Sequence, residues 1–209
     1  MSTFRRGLPV VLSAASGTGK TTLCHRLLSA DPRLALSISY TTRQPRGQER
    51  NGVDYHFVDD ATFDAMVARN AFVEWANVHG KRYGTSAEKT RELLDAGIDV
   101  LFDIDVQGGE QLQKRFPETV LIFLFPPSME VLASRLRGRQ TDSAEEIERR
   151  LQTAREEIER GGGSYTYIVI NDDLQRSETD LASIVRCERL RHTDKRRTMH
   201  ALLGGAVLS

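Results

Sequence analysis

The chain has 209 residues, 39% of them apolar, and its 29 Lys and Arg side chains are balanced by 29 Asp and Glu side chains. This length and composition allow one substantial buried core with small insertions. The balanced charge gives no global attraction to nucleic acid or to a membrane surface, and the chain lacks the apolar run of about 20 residues that spans a bilayer. Cys24 and Cys187 are the two cysteines and suggest packing residues in a reducing compartment. We therefore expect a cytoplasmic protein that binds neither nucleic acid nor membrane.

The first motif with chemical meaning follows the apolar run of residues 8–12, where small residues precede Gly19-Lys20-Thr21. Such a loop at a helix N-terminus turns backbone N–H groups toward the phosphates of a nucleoside triphosphate. The lysine adds positive charge, and the threonine hydroxyl binds Mg²⁺. Ala14 stands at the first glycine of the G-x-x-x-x-G-K-[ST] pattern, which is acceptable only if its φ stays negative. We predict a phosphate-binding loop formed by Ala14, Ala15, Ser16, Gly17, Thr18, Gly19, Lys20, Thr21 and Thr22.

Apolar runs of strand length recur along the chain, and segments with helical periodicity lie between them. This alternation predicts a doubly wound α/β core with a five-stranded parallel sheet flanked by helices, which binds ligands at the carboxyl ends of its strands. The predicted strands are 10–12, 36–38, 100–102, 120–125 and 167–170, and the predicted helices are 20–29, 86–96, 107–115, 128–136, 143–160 and 177–190.

Two segments interrupt this alternation. Residues 39–86 are rich in arginine, tyrosine and turn residues and contain alternating pieces such as 54–58, which predicts an inserted subdomain with its own strands. Residues 135–160 are highly charged and predict a mobile helical lid. A Ser143-x-x-Glu146 capping box is predicted at the start of the lid helix. Three glycines at 161–163 predict a flexible exit from this helix. The apolar side of this helix consists of Ile147, Leu151, Ala154 and Ile158. The basic segment 186–197 and residues 201–208 suggest a final helix.

The segment 37–46, Ser-Ile-Ser-Tyr-Thr-Thr-Arg-Gln-Pro-Arg, together with the phosphate loop, resembles the guanylate kinase family of P-loop nucleoside monophosphate kinases. The resemblance covers most of the chain and is far more specific than the loop alone. It is also carried by Asn-Gly-Val-Asp-Tyr at 51–55, Phe-Val-Glu-Trp-Ala at 72–76, Tyr-Gly-Thr at 83–85, Leu-Phe-Asp-Ile-Asp-Val-Gln-Gly at 101–108, Phe-Pro-Pro-Ser at 125–128 and Val-Ile-Asn-Asp-Asp at 169–173.

The resemblance implies that the γ-phosphate of ATP is transferred to GMP, giving ADP and GDP, with Mg²⁺ arriving with the ATP. A monomer or a small homo-oligomer is expected. The implied organisation is a P-loop core formed by 1–39, 87–134 and 161–209, with a GMP-binding subdomain at 40–86 and the lid at 135–160.

The GMP site follows partly from residue chemistry. Arg43 and Arg46 can converge on one phosphate, because guanidinium forks match phosphate oxygens. The carboxylate of Glu74 can accept hydrogen bonds from both N1–H and the N2 amino group of guanine, whereas adenine presents a lone pair at N1. Glu74 is therefore the residue expected to select guanine. The resemblance adds Tyr55 and Tyr83 as phosphate donors, Ser39 as a donor to O6, and Thr85, Asp103 and Asp105 on the guanine side.

Asp103 and Asp105 follow an apolar strand and lie near the phosphate loop. We expect Asp103 to orient water on Mg²⁺, which Thr21 binds directly, and Asp105 to face guanine. Strand alternation alone sends both carboxylates to the same side, so the assignment between them stays open.

The resemblance also assigns the catalytic charges. Lys20 and Arg43 are joined by the lid arginines Arg135, Arg139 and Arg150, which clamp the triphosphate and the transferred group, and Asn171 contacts the adenine of ATP. Two other functions compete with this interpretation. A guanylate-kinase-like module that binds phosphopeptides typically lacks the phosphate loop, and a kinase of a phosphorylated sugar would not need Glu74 to recognise a base.

Overall fold

The computed structural model describes residues 5–78, 80–138 and 143–203. Within these ranges the strands are β1 (Pro9–Ala14), β2 (Leu34–Leu36), β3 (Tyr40–Thr41), β4 (His56–Phe57), β5 (Phe72–Val78), β6 (Lys81–Ser86), β7 (Asp99–Asp103), β8 (Val120–Phe125) and β9 (Tyr167–Ile170). The helices are α1 (Lys20–Ala30), α2 (Asp60–Ala68), α3 (Ala87–Asp95), α4 (Val106–Arg115), α5 (Met129–Arg137), α6 (Ala144–Ser164), α7 (Leu174–Arg191) and α8 (Lys195–Leu202).

The core sheet has the predicted parallel architecture, with strand order β2-β7-β1-β8-β9. The chain leaves β1 for the edge strand β2 and later crosses over β1 on its way from β7 to β8. Such a reversal opens a crevice at the carboxyl end of the central strand, where doubly wound sheets bind their ligands. Leu12 of β1 lies opposite Asp103 of β7, so the phosphate loop and the two acids meet at this edge.

Helices cover both faces of the core sheet, which is why its strands are almost entirely apolar. Leu27 of α1 and Leu181 of α7 are buried against one face, and Leu94 of α3 and Leu112 of α4 against the other. Cys24 is buried on α1, and burial raises the pKa of its thiol to about 12, so it packs and does not react. None of the helices in the described ranges is long and apolar enough to cross a bilayer.

The insertion forms a second sheet, with strand order β4-β3-β6-β5. The side chains of Phe63 and Met66 from α2 pack with Phe72 from β5 to give it a small core of its own. The insertion thus has its own strands, as predicted, although the alternating piece 54–58 contributes only His56–Phe57 to them.

The predicted elements differ from the structure at several ends. The predicted strand 36–38 lies two residues too late, since β2 spans Leu34–Leu36. Helix α7 begins three residues before the predicted 177, because the carboxylate of Asp173 accepts the backbone N–H of Arg176 and caps the helix there. Of the predicted final helix, residues 186–191 belong to the end of α7 and the separate α8 follows, while residues 204–208 lie outside the described residues.

The flexible exit predicted at 161–163 is wrong, because α6 continues through these glycines to Ser164. A Cβ atom on Gly161 would lie 2.3 Å from a ring carbon of Phe123 in β8. Gly161 is therefore a packing position that lets the helix approach the sheet closely, and it is not a hinge.

These three glycines allow a matched pair of substitutions. Gly161→Ala should lower the free energy of unfolding by about 1 to 3 kcal/mol, because the new methyl group meets the Phe123 ring. Gly163→Ala should raise it by about 0.5 kcal/mol, since that Cβ meets nothing within 4 Å and alanine favours the helix. Urea denaturation of both variants measures the two changes. Equal effects would contradict the packing role of Gly161.

Candidate active site

The phosphate loop connects β1 to α1 without strain at its first position. Among the described residues other than glycine, only Asn70 has a positive φ, so the backbone of Ala14 accommodates a side chain. Gly17 and Gly19, with φ of 92° and 100°, occupy the conformation that favours glycine. The departure from the glycine pattern at Ala14 therefore costs the loop nothing.

Two side chains that were predicted to contact ATP donate hydrogen bonds to the backbone of the loop. Asn171 Nδ2 donates to the carbonyl oxygen of Thr18 at 2.6 Å, and Arg135 Nη1 donates to the same oxygen at 3.3 Å. Arg135 Nη2 also donates to the carbonyl oxygen of Asn171 at 3.5 Å. Asn171 is only 5% exposed, and a Cβ on Gly19 would lie 2.8 Å from its amide nitrogen. Asn171 therefore supports the loop, and its contact with adenine stays a prediction.

Lys20 and Asp103 form an ion pair at the mouth of the loop. The Nζ atom of Lys20 lies 2.6 Å from a carboxylate oxygen of Asp103 and donates to the carbonyl oxygen of Ile104 at 3.2 Å. Asp105 lies beyond β7, where its carboxylate accepts the backbone N–H of Gly108 at 2.7 Å and caps α4. Asp103 thus pairs with the lysine of the loop, while Asp105 is fixed at the start of a helix and lines the cavity over the loop.

The residues around the loop suit a hard divalent cation. Thr21 offers a hydroxyl on the first turn of α1, and the Asp103 carboxylate is 30% exposed nearby. Both are oxygen donors, which Mg²⁺ prefers. In the part of the chain that the structure describes, no group of three or more His, Cys, Asp or Glu residues could hold a metal.

Glu74 lies buried on β5, opposite Thr85 of β6. Its side chain is only 5% exposed, and Thr85 Oγ1 donates to Glu74 Oε1 at 2.5 Å. A Cβ on Gly108 would lie 3.1 Å from Glu74 Oε2, so the glycine leaves room beside this oxygen. Burial raises the pKa of Glu74 to about 7, and the negative charge of Asp105 adds to this effect. Thr85 supports Glu74 directly, and a contact between Thr85 and the base stays a prediction.

Arg43 does not point freely into the cleft, as a simple pair of phosphate-binding arginines would. It is 8% exposed, and its Nε donates to the hydroxyl of Tyr83 at 3.2 Å. Its guanidinium carbon lies 5.1 Å from the centre of the Tyr55 ring, a cation–π distance. Its two terminal nitrogens donate to the carboxylate of Glu49 at 2.8 and 2.9 Å. The carboxylate of Glu49 is therefore the anion that Arg43 binds in this structure. The side chain of Arg46 is exposed.

Two cavities meet in the cleft. One of about 310 Å³ lies beside the insertion, and one of about 360 Å³ lies over the phosphate loop. Lys20, Asp105 and Glu157 line both of them. The first cavity is also lined by the predicted GMP-binding residues Ser39, Tyr55, Glu74, Tyr83 and Asp103, and the second by Ala14, Ala15, Ser16, Gly17, Gly19, Thr21 and Thr22.

Sequence reasoning missed Glu157 and Glu49. Burial raises the pKa of Glu157, which projects from α6 toward Lys20. Its position two helical turns after Arg150 was the available signal, because residues seven apart share a helix face. Glu49 lies three residues after Arg46 in a turn-rich segment, and nothing in that spacing predicted its contact with Arg43.

The predicted lid helix packs as its periodicity indicated. Leu151 and Ala154 are buried against α5 and the loop residue Ala15. The hydroxyl of Ser143 accepts the backbone N–H of Glu146 at 3.2 Å, while the carboxylate of Glu146 pairs with arginines of its own helix, at 3.5 Å in the case of Arg150. The predicted catalytic residue Arg139 lies outside the described residues.

The fold and the loop define a P-loop nucleotide-binding protein with an inserted subdomain. Residues 6–188 match the model of the guanylate kinase family. The chain is 55% identical over 185 residues to the guanylate kinase of Myxococcus xanthus, covering 88% of each chain. It is 52% identical over 193 residues to that of Neisseria meningitidis serogroup A, covering 92% of this chain and 94% of the relative.

A solved structure agrees with these sequence matches. The crystal structure of guanylate kinase from Anaplasma phagocytophilum superimposes with a TM-score of 0.77 at 28% identity, covering 99% of this chain and all of that one. The chain therefore belongs to the guanylate kinase family.

The raised pKa of Glu74 predicts pH-dependent binding of the base. Only the ionised carboxylate accepts both guanine donors, so the affinity for guanosine should level off above about pH 8 and fall about tenfold per pH unit well below the pKa of Glu74. Calorimetric titration with guanosine measures this without the titrating phosphate of GMP. Glu74→Gln should bind weakly and lose the slope. A wild-type affinity independent of pH between about 5 and 8 would contradict this role of Glu74.

Proposed function

We propose that this chain transfers the γ-phosphate of ATP to GMP within the cleft between the phosphate loop and the insertion. This proposal rests mainly on the observation that Lys20, Asp105 and Glu157 line both cavities. A donor on the loop and an acceptor beside Glu74 would therefore meet at that lysine. Phosphoryl transfer requires this kind of direct contact, because catalysis consists largely of holding the two reactants in line.

The proposed function of each part of the chain follows the fold. We assign the core to 1–39, 87–134 and 161–209, the GMP-binding subdomain to 40–86 and the lid to 135–160. The separate sheet and small core of the insertion support the second assignment. We further propose Mg²⁺ as the metal ion, a cytoplasmic location and a monomer or small homo-oligomer. The balanced net charge supports an enzyme of small substrates that needs neither nucleic acid nor a membrane.

In the reaction, a phosphate oxygen of GMP attacks the γ-phosphorus of ATP. The new O–P bond forms as the bond to the β,γ-bridging oxygen breaks, and the electron pair leaves with ADP. The attacking oxygen already carries negative charge at neutral pH, so the step needs neither a protein nucleophile nor a general base. The contribution of the protein is to position the groups and stabilise the charge that shifts toward ADP.

Lys20 provides positive charge beside the β- and γ-phosphates once its pairing with Asp103 gives way to the nucleotide. The hydroxyl of Thr21 and, through water, the carboxylate of Asp103 would hold Mg²⁺, which supplies electrostatic stabilisation of the phosphate oxygens when bound. The backbone N–H groups of the loop would cradle the same phosphates at the positive end of α1.

GMP is selected because AMP would leave the Glu74 carboxylate without hydrogen-bond donors from the base. Glu74 accepts two guanine donors, while the N1 lone pair of adenine would face the carboxylate and leave it unsatisfied. A site built on such polar complements can discriminate by factors on the order of 10⁴. Arg43, Arg46, Tyr55 and Tyr83 hold the phosphate of GMP.

Closure of the lid would exclude water and bring its arginines to the transferred group. Arg135 already contacts the loop through the carbonyl oxygen of Thr18, and we assign Arg139 and Arg150 to the same clamp. Excluding water favours attack by GMP over hydrolysis of ATP.

The purified chain with ATP and Mg²⁺ should form ADP rapidly with GMP and on the order of 10⁴ times less efficiently with AMP, because adenine leaves Glu74 unpaired. Lys20→Ala should lower kcat with GMP by about 10²-fold or more through lost charge stabilisation. A coupled assay of ADP formation measures both.

Lys114→Ala is the matched control, because this lysine is exposed on α4, and it should keep wild-type turnover. Equal turnover with GMP and AMP would contradict base selection by Glu74. Absence of turnover with every monophosphate would favour a phosphopeptide-binding module. Turnover only with a phosphorylated sugar would favour a kinase of that sugar.

A further inference from the structure

Acceptors within the protein take almost all the hydrogen-bond donors of Arg43. A guanidinium has five N–H groups. One from each terminal nitrogen goes to Glu49, the second from Nη1 goes to the carbonyl oxygen of Gln44 at 2.8 Å, and Nε–H goes to Tyr83. One N–H of Nη2 is left, and the planar geometry puts it on the same edge as Nε.

Arg43 therefore presents two edges with different surroundings. Glu49 occupies the edge formed by Nη1 and Nη2. The edge formed by Nε and Nη2 faces the hydroxyl of Tyr83, and the side chains of Tyr83 and Tyr55 line the cavity beside the insertion. A phosphate in that cavity would reach this second edge by replacing one weak tyrosine acceptor, without separating Arg43 from Glu49.

Glu49 is itself anchored to the backbone. Its Oε2 atom accepts the backbone N–H of Arg46 at 2.7 Å as well as Nη1 of Arg43. The carboxylate thus ties the side chain of one phosphate-binding arginine to the main chain of the other. The hydrogen bonds from Arg43 lower the pKa of Glu49 to about 2, so the carboxylate stays ionised throughout the neutral range.

We propose that Glu49 is a positioning residue of the monophosphate site: it holds the outer edge of Arg43 so that the inner edge faces the phosphate of GMP. This inference rests on the proposed function. Its physical basis is that a bidentate charge-assisted pair fixes the plane of a guanidinium, which otherwise rotates freely on a long side chain. The ionised Glu49 also offsets part of the charge of Arg43, so the pair contributes mainly orientation.

The test separates phosphate recognition from base recognition. Titration calorimetry with GMP and with guanosine gives two dissociation constants, whose ratio measures what the phosphate contributes. In Glu49→Gln, the Kd for GMP should rise about tenfold or more, while the Kd for guanosine and the KM for ATP stay within about twofold. Glu118→Gln is the control, because Glu118 pairs with Arg6 at 3.2 Å away from the cleft and should leave the ratio unchanged.

A double-mutant cycle with Arg43→Lys strengthens the test, because lysine has no planar fork to orient. If Glu49 acts through Arg43, Glu49→Gln should add little to the GMP affinity already lost in Arg43→Lys. Additive losses would overturn the proposal.

The other outcomes are equally decisive. Tighter GMP binding by Glu49→Gln would show that the carboxylate competes with the phosphate for Arg43, and unchanged binding would show that it does not position Arg43. Equal loss of GMP and guanosine binding would show that Glu49 only maintains the fold. If the wild-type chain transferred no phosphate from ATP to GMP, the proposed function would fail, whereas an active wild type with an unaffected Glu49→Gln variant rejects the positioning role alone.

Discussion

The parallel register of β1 with its neighbours β7 and β8 is the constraint on which the rest of the structure depends. It places the end of β1, where the phosphate loop begins, beside the end of β7, where Asp103 lies opposite Leu12. The insertion leaves the sheet after β2 at the same carboxyl edge and brings Glu74 to the other side of the crevice. The phosphate loop and the insertion thus face one another because the strands of the core sheet all run in one direction.

Two ion pairs neutralise cationic side chains in the cleft. Lys20 pairs with Asp103 and Arg43 pairs with Glu49, so neither cation is left alone in a partly buried site. Two nucleotides bring several negative charges, and the proposed mechanism needs Lys20 to exchange its carboxylate for phosphate while Arg43 keeps its own. Glu74 is the opposite case, since its burial makes ionisation unfavourable, and in the proposed mechanism guanine supplies two hydrogen-bond donors to its carboxylate.

Much of the fold was predictable, because buried parallel strands are continuous apolar runs and β8 and β9 have the predicted bounds. The phosphate loop connects β1 to α1 at the predicted position, and Glu74 and Thr85, from two of the motifs, lie opposite each other on β5 and β6. The exit at 161–163 was predicted wrongly because glycines suggest flexibility in sequence, whereas contact with Phe123 from a distant strand decides it. The support of the loop by Asn171 and the contact of Glu49 with Arg43 were also hidden, since both depend on tertiary geometry that residue spacing does not encode.

If donor and acceptor lie close enough for direct transfer across the cleft, a single molecule that joins adenosine and guanosine 5′ to 5′ through five phosphates should occupy both sites. We expect one such molecule to bind per chain and to compete with both ATP and GMP, with a Kd well below that of either nucleotide, because one binding event carries the association cost of two. Competition with only one nucleotide, or binding of two molecules per chain, would contradict direct transfer across the cleft.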